Sequence, residues 1–314
     1  MRCLCCGNPL LGRDNEQNGW HARCIKAFFG TQNFPSVDID NDMLTSIAIR
    51  NVSEGITAPG VQKKLSLHLH TERGNIPRLT IVDYPSGFIL KPQTDEYEAL
   101  PEAEYLVMSM AEATGIKTVP FALIRLNNSL SYITKRIDRD GINKLAMEDF
   151  CQLDYRLTAD KYKGSYERCS NIISSYSDFP GIDMTDFFLR IVFSFAVGNS
   201  DMHLKNFSLI ENSYQSSTYR LSAAYDLLPV NVILPSDPDQ MALTLNGKKR
   251  NLRRKDFIVL AQHCGITQKV ADKLINVVTS KESIYIQMCE DSYIPESMRE
   301  SLIQLIHERI ASLL

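Results

Sequence analysis

Asp201 and Asn206 have four residues between them in GNSDMHLKNFSLI (198 to 210). A carboxylate that can accept a proton and an amide oxygen that can hold a hard cation, at this spacing on one loop, suit phosphoryl transfer. The residues that follow strengthen the pattern: FSLI, the turn-rich ENSYQSST and YRLSAAYD read as a hairpin whose second arm returns Asp226 towards the start of the first. Mg²⁺ takes hard oxygen ligands and needs only one or two from protein. Asp201 is therefore the candidate base, with Asn206 and Asp226 the candidate magnesium ligands.

A second constellation lies at the N-terminus. Cys3 and Cys6 form a C-x-x-C pair, and after fourteen further residues His21 and Cys24 form an H-x-x-C pair. Two residues between ligands let both side chains of a pair reach one tetrahedral Zn²⁺. Cys5 is left over. The competing readings are a redox pair or an accidental cluster, and a redox pair would normally follow a strand and open a helix, unlike the text here. A structural zinc knuckle, folding a segment too short for its own core, is the expectation for residues 1–30. Cys151, Cys169, Cys264 and Cys289 lie singly and read as packing residues.

Thr57, Ala58, Pro59 and Gly60 precede an alternating strand, Val61 to Leu69, with Leu65, Leu67 and Leu69 on one face. Small residues there let backbone amides approach phosphates, or simply turn the chain. RLTIVDY and SGFILKP continue as strands, and Lys91 ends the second, where its charge would neutralise nucleotide phosphates. LPEAEYLVMSMAEATGI reads as a helix. Pro101 suits its first turn, Glu102 and Glu104 its positive end, and Ala103, Leu106, Val107, Met110 and Thr114 share a face. In protein kinases an acidic residue on such a helix pairs the strand lysine. Glu104 is the first candidate and Glu102 the second, the alternative being that they only complement the helix dipole.

TVPFALIRL and LSYITKRID read as two more strands joined by NNS, running into a connection like that between kinase lobes. Backbone groups of Lys135 to Ile137 would there meet adenine. From Lys144 the text is predominantly helical, most clearly over Asp186 to Val197, Arg254 to His263, Gln268 to Thr279 and Pro295 to Leu313. Strands first and helices later give an α+β fold of two lobes. The expected division is 1–30 for the knuckle, 31–140 for a strand-rich lobe and 141–314 for a helical lobe.

A chain of 314 residues with 44% hydrophobic content can bury two cores, and a net charge of -3 argues against a general nucleic-acid binder. No secretory signal is legible in Met1 to Leu11, and FFLRIVFSFAVGN (187 to 199) is interrupted by Arg190 and too short to span a membrane. The expectation is a soluble cytoplasmic protein. Lys248 to Lys255 carries six positive charges in eight residues, read as a solvated helix approach ahead of a patch for an acidic partner surface, a phosphorylated loop or nucleic acid carried by a partner protein.

NSDMHLKNFS together with YDLLP resembles the HipA family of bacterial serine/threonine kinases, the toxins of toxin-antitoxin systems. The resemblance extends to TAPGVQKKLSL, FILKP, LPEAE and KRIDR, in order, from about residue 50 to the C-terminus. It implies a kinase-like fold, ATP and Mg²⁺ as cofactors, Asp201 as catalytic base, Asn206 and Asp226 on Mg²⁺, and Lys91 on the ATP phosphates. Lys205 would reach the transferring phosphoryl group, while His203 reads better as a hydrogen-bonded structural histidine that braces the loop. The phosphate loop in the family carries a hydroxyl residue whose autophosphorylation ejects it. Thr57 stands at that place where the family has serine, and Ser53 is a second candidate. The N-terminal subdomain of full-length HipA is replaced here by the knuckle text, so the chain looks closest to the shortened HipT-type kinases. Implied partners are an aminoacyl-tRNA synthetase or another translation protein as substrate, antitoxins of HipB or HipS type, DNA only through an antitoxin, and no membrane. The alternative is a nucleotide-binding pseudokinase that docks partners without turnover.

Overall fold

The computed structural model describes residues 1–11, 17–37, 64–72, 74–81 and 86–314. The expectations placed on Ser53, Thr57, Ala58, Pro59 and Gly60 fall outside the described residues. The chain has an α+β fold that divides into two compact units: Met1–Tyr105 with Pro120–Arg136, and Leu106–Val119 with Ile137–Leu314.

In the first unit, six strands form one sheet: β1 (Ser36–Val37), β2 (Leu65–His70), β3 (Arg78–Ile81), β4 (Phe88–Lys91), β5 (Phe121–Leu126) and β6 (Ser129–Lys135), in the order β1-β3-β2-β4-β6-β5. Among the described residues of this sheet, β1 alone runs parallel to its neighbour, β3. The alternation read from the text holds at the start of β2, where Leu65 and Leu67 are buried and Ser66 between them is exposed, but Leu69 is half-buried like His68 beside it; Val61 to Lys63 lie outside the described residues. β4 lies inside the sheet between β2 and β6, and Lys91, its last residue, stands opposite Tyr132.

The N-terminal segment belongs to this unit and covers the β5 edge. Leu123 donates its amide to Leu4 O at 2.8 Å, and Trp20 Nε1 donates to Leu123 O at 3.0 Å. An edge strand's unpaired backbone groups are thus satisfied by the chain's own start. Trp20 is fully buried, with the rings of Phe28, Phe29 and Phe34 at 5.4, 5.3 and 5.5 Å. The helix Ala22–Phe29 that presents two of these rings ends on Gly30, whose φ of 75° is the left-handed cap that glycine adopts without a Cβ penalty.

The second unit centres on the helix Pro180–Ala196. It opens with the proline in its first turn and buries Phe187, Phe188, Ile191, Val192, Phe193 and Phe195. The sequence placed its start at Asp186; the structure carries it back to Pro180. Ser208–Glu211 and Tyr219–Leu221 pair antiparallel, as the hairpin text predicts. A third strand, Met147–Asp149, joins the opposite side of Ser208–Glu211. Three residues with no apolar alternation gave no strand signal, and the partner that makes them a strand lies some sixty residues on. Helices Arg254–His263 and Gln268–Thr279 have the expected bounds, and Glu296–Ala311 lies within the expected segment. Among the described residues no helix is long and apolar enough to cross a membrane.

Candidate active site

The loop bearing Asp201 leaves the buried helix Pro180–Ala196 through Gly198. Its φ is 71°, and a Cβ there would sit 2.9 Å from both Leu305 methyl carbons, so this exit requires glycine. Asn199 Oδ1 then accepts the Asp201 amide at 3.3 Å, His203 donates its amide to Asp201 O at 2.8 Å, and Asn206 donates its own to His203 O at 3.0 Å. Asn206 Nδ2 also donates to Asp201 O at 2.8 Å, and Asn206 is buried. A carbonyl can only accept, so this bond fixes which end of the amide is nitrogen and leaves Oδ1 as the end able to hold a cation.

Asp201 keeps a side chain 41% exposed, and its Oδ1 accepts from Tyr162 Oη at 2.5 Å. His203 is buried against the Tyr162 ring, centroids 5.0 Å apart and edge-on, with Nε2 4.0 Å from Asp201 Oδ2. That exceeds a hydrogen bond, and its buried Nδ1 has no hydrogen-bond partner. Packing rather than hydrogen bonding therefore holds this histidine. Burial pushes its pKa down, against the upward pull of Asp201 and Asp226.

Asp226 follows the hairpin's second arm, which is pinned from one side by the helix and the turn before it. Asp178 accepts the Tyr219 amide at 2.6 Å, Asp183 accepts the Leu221 amide at 2.7 Å, and the buried Arg190 donates to Ser222 O at 2.6 Å. Tyr225 Oη reaches back to Lys205 O at 3.1 Å and meets Ser208 Oγ at 2.5 Å. Asp226 itself sits at φ 60°, a left-handed conformation that an aspartate tolerates better than most residues. Asp201 and Asp226 both act electrostatically on Tyr162 and on His203, so the two carboxylates share one neighbourhood. Lys205 lies against a different acid, donating to Asp149 Oδ2 at 2.6 Å.

In the first unit Lys91 donates to Glu104 Oε1 at 2.6 Å, with the two side chains 5% and 0% exposed. The lysine also lies 5.4 Å from the Tyr132 ring centroid. Glu102 has a buried Oε2 without a hydrogen-bond partner, and burial raises its pKa. At the end of β6 the amides of Lys135 and Arg136 are taken by Pro120 O and Gly87 O. The Lys135 ammonium lies over the Phe28 ring at 5.4 Å, and burial lowers its pKa. Ile137 begins the second segment of the second unit.

Cys3, Cys6, His21 and Cys24 bring their ligand atoms within 4.8 Å of one another. Tetrahedral zinc with sulfur at about 2.3 Å spaces its ligands about 3.8 Å apart, so the set matches the ion's size. His21 Nδ1 is 3.4 Å from Cys6 Sγ and 3.8 Å from Cys24 Sγ, while its Nε2 lies 3.2 Å from Pro9 O. A carbonyl on the second ring nitrogen is the outer partner that orients ligand histidines. Burial pushes Cys6 up, but the Asn8 amide, Cys24, Cys3 and His21 bring it down to about 7. Burial and the nearby thiols push Cys24 the other way. Crowded thiols that cannot all ionise alone are a donor set suited to a divalent cation.

Three participants were missed in the text. Asp149 caps the helix Phe150–Leu153, Asp237 accepts Ser200 Oγ at 2.7 Å, and Tyr162 stands on Asp201. D-F-C-Q across 149–152 is a capping-box pattern that could have found the first; nothing in TADKYKG singles out Tyr162.

The family model of the HipA-like C-terminal domain matches residues 56–284. The chain belongs to the HipA-like family. A putative kinase of Sinorhizobium fredii is 28% identical over 239 residues, covering 72% of this chain and 56% of the relative. A putative kinase of Haemophilus influenzae is 25% identical over 294 residues, covering 83% of this chain and 82% of the relative. The chain thus spans little more than half the length of the first. HipA of Shewanella oneidensis, solved with HipB and operator DNA, shares the fold at a TM-score of 0.67 and 16% identity, covering 84% of this chain and 70% of that one.

Proposed function

We propose that this HipA-like chain is an ATP- and Mg²⁺-dependent serine/threonine protein kinase, the toxin of a HipA- or HipT-type toxin-antitoxin system. The observation that carries the reading is the loop 201–206, where the Asn206 amide is locked on the Asp201 carbonyl while the Asp201 carboxylate stays accessible. Asp201 serves as the base that takes the acceptor hydroxyl's proton. Asn206 Oδ1 and the Asp226 carboxylate are the oxygens that would hold Mg²⁺, which when bound neutralises phosphate charge. Lys91, held by Glu104, supplies the phosphate-binding cation, and Lys205, held by Asp149, lends positive charge beside the base. Ala58 and Gly60 form the phosphate loop, Lys135 to Ile137 offers the adenine contact, and Thr57, with Ser53 second, is the autophosphorylation site that shuts the enzyme off.

The substrate class is a translation protein such as an aminoacyl-tRNA synthetase, and the regulators are antitoxins of HipB or HipS type, through which the complex meets DNA. The Cys3, Cys6, His21 and Cys24 set holds structural zinc. Radiolabelled ATP with magnesium tests the central assignment: Asp201→Asn is expected to abolish transfer to the chain itself and to cell-extract proteins, and retained labelling would refute it. Metal analysis is expected to return one zinc per chain, lost in Cys3→Ser or Cys24→Ser. A freshly purified chain without zinc would contradict the knuckle.

A further inference from the structure

Tyr162 is not part of any motif, yet its hydroxyl makes the 2.5 Å bond to Asp201 Oδ1. A hydroxyl donating to that carboxylate is the arrangement a kinase base makes with its acceptor alcohol before transfer. We propose that Tyr162 Oη occupies the acceptor-hydroxyl position, and that a substrate serine or threonine must displace it to reach Asp201. This rests on the kinase reading above.

The fold delivers Tyr162 there deliberately. Leu204 donates its amide to Lys161 O at 3.2 Å, tying the segment 158–164 to the loop that carries Asp201. On the far side of Tyr162, Thr244 Oγ1 donates to Gly164 O at 3.2 Å. The Tyr166 hydroxyl then donates to Met202 O at 3.0 Å. The ring is braced edge-on against His203 and by the Lys161 ammonium 4.9 Å from its centroid. Tyr162 is nevertheless 44% exposed, so its ring borders solvent on one side.

Tyr162 is a placeholder rather than an acceptor. Burial, followed by the charge and hydrogen bond of Asp201 and the charges of Asp237 and Asp226, pushes its hydroxyl pKa well up, which keeps the proton on. A phosphate formed on Oη would face those same three carboxylates. The residue acts through Asp201, as a positioning group that sets how tightly an acceptor binds.

The test compares the wild-type full-length chain with Tyr162→Phe, which keeps the ring on His203 and removes only the hydroxyl. Transfer from MgATP is measured to a degenerate serine and threonine peptide library and, in parallel, to water as phosphate release. The expected result is a peptide KM about tenfold lower with kcat changed less than about twofold, since a competing hydrogen bond to a charged group is lost. Phosphate release to water should rise by a similar factor. An unchanged KM, or a fall in kcat, would overturn the placeholder role. Transfer retained by Asp201→Asn, or no transfer from either chain, would instead defeat the kinase reading itself.

Discussion

Two lysine-carboxylate pairs, one in each unit, have the same 2.6 Å separation and opposite surroundings. Lys91 and Glu104 are 5% and 0% exposed, whereas Lys205 and Asp149 are 33% and 14% exposed. Distance alone would rank them equal. The environment does not, because water screens the second pair while a low-dielectric interior strengthens the attraction within the first. A buried pair holds its lysine in one geometry whether or not ligand is present; a half-open pair can exchange partners at little cost. This difference suits the roles proposed for the two lysines, a fixed phosphate contact and an adjustable charge beside the base.

The comparison is broken most sharply at Lys91. Lys91→Met takes the ammonium at 2.6 Å away from the buried Glu104 carboxylate, and denaturant unfolding is expected to show a loss of about 3–5 kcal/mol. Replacing both residues by apolar ones of similar volume should recover most of that loss. A small effect in the single variant would mean that Glu104 is satisfied without the lysine. Next comes Asp256, fully buried and accepting from Lys248 at 2.7 Å, Asn246 at 2.8 Å and the Arg253 amide at 3.0 Å. Burial pushes its pKa up, but these three bonds outweigh it and hold the carboxyl below its usual value. A depressed folded pKa gives stability that is present above the unfolded value and lost as pH falls through the folded one. Stability should therefore fall below about pH 4, and less steeply in Asp256→Asn, checked by thermal melts across pH. Smallest is Lys205→Met, expected to cost about 1 kcal/mol or less, in keeping with exposed pairs. A loss as large as that at Lys91 would erase the contrast.

Much of the scaffold was legible because its signals are local. The helix from Leu100, the hairpin at 208–221 and the Lys91 strand each follow from periodicity and turn residues within a dozen positions. The basic run was legible in charge but not in destination. Lys248 pairs Asp256, Lys249 and Arg250 pair Asp239, and Arg254 pairs Asp272, so at least four of its six charges are turned onto the fold's own acids. The strand Met147–Asp149 and Tyr162 escaped notice because neither has a periodic pattern of its own, although the capping box that starts at Asp149 was there to be read.

Sequence alone determined the chemistry available: a carboxylate and an amide four residues apart on a loop, a lysine closing a strand, and sulfur and imidazole ligands in short-range pairs whose spacing the backbone itself enforces. Tertiary structure decided who meets whom. Tyr162 reaches Asp201 across 39 positions and Lys205 reaches Asp149 across 56. Such partnerships are set by how helices and strands pack, since the covalent chain constrains only near neighbours, and burial then assigns each pair its strength.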